Sequence, residues 1–114
     1  MGVPDMVKEK IINIAVDFTD SPGARFRSDG PSPGESFRDD YLLPALNTLS
    51  VDEVLVINFD GTFGYPPSFL EEAFGGLVRA GISQDKLNRI RYVSDEEPGI
   101  IEEIDRYINN AKRS

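Results

Sequence analysis

Cysteine, histidine and tryptophan are all absent from this chain. Without cysteine there is no disulfide, no thiol nucleophile and no thiolate metal ligand. Without histidine there is no imidazole base, no Ser-His-Asp triad and no zinc site built on imidazole. The remaining chemistry belongs to carboxylates, Lys, Arg, Tyr and backbone donors. These form no catalytic set in the sequence, so no enzyme, cofactor or metal is expected.

Positive charge is scarce as well. Twelve Lys and Arg stand against twenty Asp and Glu, for a formal charge of −8. That excess repels phosphates and anionic lipid, so neither nucleic acid nor membrane is an expected partner, whereas a basic protein is admitted. No apolar run approaches the roughly 20 residues of a membrane span. The opening residues Met1-Gly-Val-Pro-Asp-Met-Val-Lys8 hold no apolar h-region. No secretory signal is therefore expected, and a cytoplasmic location fits the missing cysteines.

What is present reads as one domain. Its length suffices for a single modest core. Residues 1–9 read as a polar lead-in and residues 10–114 as the domain. Lys10-Ile-Ile-Asn-Ile-Ala-Val-Asp17 is rich in β-branched residues and predicts a strand. Ser21-Pro-Gly23 followed by the alternation of Ala24-Arg-Phe-Arg27 suggests a hairpin strand. Phe37, Tyr41, Leu42, Ala45, Leu46 and Leu49 recur at helical spacing, with Pro44 expected to kink or split that helix. Val54 to Phe59 is nearly all apolar, as in a strand covered on both faces. A second helix is expected from about Pro67 to Arg79, a further strand over Arg89-Ile-Arg-Tyr-Val93, and a last helix over residues 99–110. The order β-β-α-β-α-β-α predicts an α/β two-layer sandwich, a small mixed sheet of about four strands against three main helices.

Two segments are candidate sites. In Gly23-Ala-Arg-Phe-Arg-Ser-Asp-Gly-Pro-Ser-Pro-Gly34, the guanidiniums of Arg25 and Arg27 suit a phosphate or carboxylate, with Arg27 and Ser28 as the direct ligands and Ser32 as a donor at the helix start. The alternative is that both arginines pair with Asp29, Glu35 or Asp39 nearby. In Asp60-Gly-Thr-Phe-Gly-Tyr-Pro-Pro-Ser68 a buried strand runs through a tight turn into a helix, the usual place for a site in open α/β sheets. Asp60, Tyr65, Ser68, Phe69, Glu71 and Glu72 are its candidate residues. Asp60 with Glu71 or Glu72 would suit Mg²⁺ if they converged, and Asp60 equally reads as a turn residue. Ser68 and Thr62 are weak candidates for phosphorylation, Ser68 otherwise capping the helix.

These same segments carry a resemblance. Ala24-Arg-Phe-Arg-Ser-Asp-Gly-Pro-Ser-Pro-Gly-Glu-Ser-Phe-Arg38, Leu42-Leu-Pro-Ala45 and the run from Phe59 to Val78 resemble a bacterial and phage-associated family described as STAS-like. The likeness covers about residues 10–110. It implies a STAS-like fold and a signalling or regulatory role beside histidine-kinase-like ATPases, without an assigned activity. The chain is more distantly similar to anti-sigma-factor antagonists, in which a central strand leads through Asp-Ser-Ser-Gly into a partner-binding helix. Alignment with them puts Asn58 at the strand's asparagine and Pro66-Pro-Ser-Phe69 at that motif. Pro67 then holds the phosphoacceptor position and cannot take phosphate, while Ser68 matches the second serine. The resemblance thus implies docking through the strand-to-helix turn, with Tyr65, Ser68, Phe69 and Glu72 as the face and Arg25 and Arg27 beside it. A small-ligand or nucleotide sensor, joining Arg27, Asp60 and Ser68 in one pocket, is the alternative. An exposed strand edge would also permit a homo-oligomer.

Overall fold

The structure is a computed structural model and describes residues 7–114. Three strands, β1 (Lys8–Asn13), β2 (Glu53–Asn58) and β3 (Ile90–Val93), form one sheet in the order β1-β2-β3. Both pairings are parallel, with Ile12 opposite Ile57 and Ile57 opposite Tyr92. Alternation along the strands sets the layers. Ile12, Leu55, Ile57 and Ile90 are buried beneath the helices, whereas Ile11 on the other face is 60% exposed. The α/β reading therefore holds in outline.

Its sheet needs correction on two counts. It is entirely parallel instead of mixed, and among the described residues it has three strands, not four. Ala24–Arg27 is no strand. Ala24 adopts a left-handed backbone at φ 67°, and the segment closes a loop on itself through Gly23 N–H to Ser32 O, Gly34 N–H to Ala24 O and Glu35 N–H to Arg25 O. The alternation of charged and apolar residues there reports Arg25 reaching inward to carboxylates. The first strand also starts at Lys8, earlier than expected, and residues 14–18 leave it as a π turn (Ile14–Phe18). The rest of the lead-in, residues 1–6, lies outside the described residues.

Helices number more than three. The run α1 (residues 34–47) is an α turn, Gly34–Phe37, a π turn, Arg38–Leu42, and an α turn, Leu43–Asn47. Pro44 explains the interruption. It has no N–H to continue the ladder, and the chain widens to the Leu43 N–H to Arg38 O bond just before it. The run α2 (residues 67–79) repeats the pattern around a π turn at Glu71–Gly75. A short α3 (Gln84–Leu87) precedes β3, and α4 (Gly99–Lys112) closes the chain.

One aromatic seam fills the interior. Phe37 of α1 stacks on Phe69 of α2 at 5.9 Å, Phe18 tilts against Phe37 at 5.2 Å, and Phe59 packs on Phe74 at 5.8 Å. Each fully buried side chain of this size contributes about 2–3 kcal/mol relative to exposure. Close approach of α1 and α2 depends on Gly34. A Cβ there would stand 2.5 Å from the Phe69 carbonyl oxygen. On its other side α2 receives α4, which buries Ile100, Ile104, Ile108 and Ala111.

Candidate functional site

The carboxyl ends of the three strands emerge together, and the turns that leave them lock to one another. After β2 the Asn58 side-chain oxygen accepts the Asp60 N–H at 2.9 Å, which bends the chain out of the sheet. The Asp60 carboxylate then accepts the N–H groups of Glu96 at 3.0 Å and Asp95 at 3.3 Å. Reciprocally, Glu96 accepts the Gly61 N–H at 2.8 Å. The turn after β1 joins them through the Phe63 N–H, which donates to the Asp20 carbonyl at 2.8 Å. A Cβ on Gly61 would lie 3.2 Å from the Ala15 Cβ. Gly61 and Gly64, with φ of 92° and 129°, make the tight path between these contacts possible.

Beneath these latches lies a cavity of about 310 Å³, lined by Phe59, Asp60, Phe63, Tyr65, Glu96 and Ile100 among others. The Tyr65 hydroxyl donates to the Phe59 carbonyl at 2.7 Å. Burial pushes the Tyr65 phenol up to about 12, against a hydrogen bond with Thr62, and the charges of Asp60, Glu97 and Glu96 push the same way. At the rim, Phe63 is 86% exposed, and Val16, on the turn that follows β1, is 79% exposed. Large apolar side chains held this far into water on adjoining turns form a candidate contact surface.

The predicted site residues divide between this rim and a second cluster. Asp60 and Tyr65 belong to the rim as described. Thr62 is half-buried, and its hydroxyl accepts the Gly64 N–H at 3.3 Å. Ser68 is half-buried in the first turn of α2 but makes no side-chain cap; Pro66 holds the cap position. Phe69 is fully buried in the aromatic seam and offers no surface. The exposed aromatic is Phe63 instead. Its signal was an aromatic residue closely bracketed by two turn glycines, which places it at the tip of the loop.

Glu71 and Glu72 turn away from Asp60 into the helix layer. Arg25 lies 2.5 Å from Glu71 and 3.4 Å from Glu72. Arg38 pairs with Glu72 and, at 2.8 Å, with Asp39. Arg79 reaches Glu71 at 2.8 Å and Glu72 at 3.5 Å. Glu72 is buried. The hydrogen bond from Arg79, then that from Arg25, holds the Glu71 carboxyl below the usual carboxylate range despite its partial burial. Gly76 makes room for this arrangement, since a Cβ there would stand 2.9 Å from the Arg38 Cδ.

The arginine-glycine loop is likewise satisfied within the chain. Arg27 pairs with Asp40 at 3.3 Å, Asp39 at 3.7 Å and Glu35 at 4.0 Å, on an exposed surface. Ser32, at φ 55°, serves the loop through its carbonyl, which accepts the Gly23 N–H. The carboxyl-end cavity is lined by neither Arg27 nor Ser68. Asp60 does not meet Glu71 or Glu72, and among the described residues no three acidic side chains are grouped to hold a metal ion. No helix among the described residues is long and apolar enough to cross a membrane.

Residues 33–99 match a family described as a STAS-like domain of unknown function (DUF4325). The matched span runs from the entrance of α1, through β2 and the 59–66 turn, to the start of α4. No curated protein and no solved structure matches the chain.

Proposed function

The chain belongs to the STAS-like family of unknown function, and from that premise we propose that it is a non-enzymatic, regulatory protein-interaction domain that docks through the carboxyl end of its sheet. The observation that carries this reading is Phe63, exposed over 86% of its surface on a turn latched by hydrogen bonds on both sides. A pre-ordered aromatic tip loses little conformational entropy when a partner covers it, and such anchors dominate interface energy. Val16 extends the apolar contact on the neighbouring turn. A histidine-kinase-like ATPase, acting with it in the cytoplasm, is the partner class that the STAS-like resemblance supports. Docking here uses the strand-to-helix region without any phosphoacceptor at Pro67.

The cavity favours a small-ligand reading in second place. About 310 Å³ is at the lower end for a ligand pocket. Its ionisable lining is acidic, from Asp60, Glu96 and Glu97, so a nucleotide phosphate would meet repulsion there.

The test is affinity purification of the tagged chain at native abundance, beside a Phe63→Ser/Val16→Ser variant. Both positions are exposed, so the variant is expected to melt with the parent. Losing the aromatic anchor is expected to cost about 2 kcal/mol of binding, roughly thirtyfold in affinity. A stoichiometric partner retained undiminished by the folded variant would place docking elsewhere on the molecule.

A further inference from the structure

The three turns at the carboxyl end, residues 14–21, 59–66 and 94–99, contain Asp17, Asp20, Asp60, Asp95, Glu96 and Glu97 and no Lys or Arg. Among the described residues none of these six carboxylates lies within ion-pair distance of a cation, whereas Lys8, Lys10 and Arg89 at the amino end all pair with acids. The carboxylates that do have hydrogen-bond partners take them from backbone amides and a neighbouring hydroxyl, which leave the negative charge in place. The strand axis therefore runs from an amino end holding cations to a carboxyl end holding only anions. At that anionic end stand the exposed Phe63 and Val16.

Resting on the docking reading above, we infer that the partner is a protein presenting an apolar depression ringed by lysine or arginine. Phe63 and Val16 fill the depression, and the cationic ring faces the six carboxylates. An acidic or neutral ring would leave those charges desolvated without compensation, so the same surface that selects a basic partner rejects others. Because the carboxylates lie at a rim around the apolar tips, their main effect is on encounter rate and partner choice, with a marked dependence on salt.

Photocrosslinking tests the claim where it is made. Phe63 is exchanged for the photoreactive residue p-benzoylphenylalanine in the full chain, and extracts of cells that natively produce the protein are irradiated. The joined partner peptide is then read by mass spectrometry. Thermal unfolding of the labelled protein, expected to match the parent, checks its fold. The expected adduct joins position 63 to a peptide carrying Lys or Arg beside apolar residues. Its yield at limiting concentration is expected to fall roughly tenfold as salt is raised, and to fall again in Asp95→Asn/Glu97→Gln, since steering charges act on this scale. Asp85→Asn at the opposite end is expected to leave the yield unchanged. An adduct with a peptide lacking cations, formed equally well at high salt, overturns the basic-partner inference while leaving docking at Phe63 standing. No protein adduct from position 63 overturns both.

Discussion

The helix-layer cluster of Arg25, Arg38, Arg79, Glu71 and Glu72 and the acidic turns at the carboxyl end both concentrate charge, and they treat it in opposite ways. In that cluster both Glu71 and Glu72 have guanidinium partners, and Glu72 is buried with its counter-ions. At the carboxyl end the acids are exposed or half-buried, bonded at most to backbone amides or a hydroxyl, and among the described residues none is paired with a cation. Charge that is compensated inside the fold acts on stability. Charge that is left uncompensated at a surface acts on what the molecule meets. The difference identifies which of two equally conspicuous sequence clusters is the better candidate for recognition.

Neutralising one acid in each region should expose the contrast most strongly. Glu72→Ala removes the buried acid shared by Arg25, Arg38 and Arg79 and leaves half-buried Arg38 with Asp39 alone, at an expected cost of about 2 kcal/mol in chemical denaturation. Glu97→Gln, on an exposed turn, should change stability by less than about 0.5 kcal/mol. Equal losses in the two variants would erase the distinction between the regions.

Acid titration sharpens it further. The folded-state pKa of Glu71 is lowered by Arg79 and Arg25. Its contribution is thus fully present above the unfolded carboxylate range, near pH 4.3, and is lost as pH falls through the depressed folded value. Glu71→Gln is expected to flatten the acid limb of stability against pH while lowering stability at neutral pH. An unchanged acid limb would mean that the ion pairs seen at Glu71 carry no net stabilisation.

The smallest expected effect concerns the loop that delivers Arg25 to the cluster. Ala24 sits at φ 67° and Ser32 at φ 55°, where a side chain is strained. Ala24→Gly relieves that strain against a larger unfolded-state entropy, for a net gain of about 0.5 kcal/mol. A loss on thermal unfolding would show that the Ala24 methyl contributes packing that outweighs the strain.

Much of the scaffold was legible because its signals are local. The apolar run at residues 54–59 contains most of β2, the Pro-led segment from Pro67 to Arg79 is α2, and the four-residue spacing of Ile100, Ile104 and Ile108 is the buried face of α4. Misreading began where a local pattern had a distant cause. The alternation in residues 24–27 mimicked a strand because Arg25 points at Glu71, 46 residues away. Phe69 looked like a docking aromatic beside the turn, but α1 covers it with Phe37. Phe63 carries only the local signal of its flanking glycines, because its exposure depends on three turns being latched into one rim.

The sequence by itself determined the central strand, the principal helices, the absence of thiol and imidazole chemistry and the acidic balance, since each follows from residue identity and short-range spacing. Only the tertiary structure decided that the sheet is wholly parallel and that Asp60 belongs with Glu96 while Glu71 belongs with Arg25 and Arg79. The physical reason is that backbone propensity acts over a few residues, whereas charge compensation and burial depend on which distant segments share a surface.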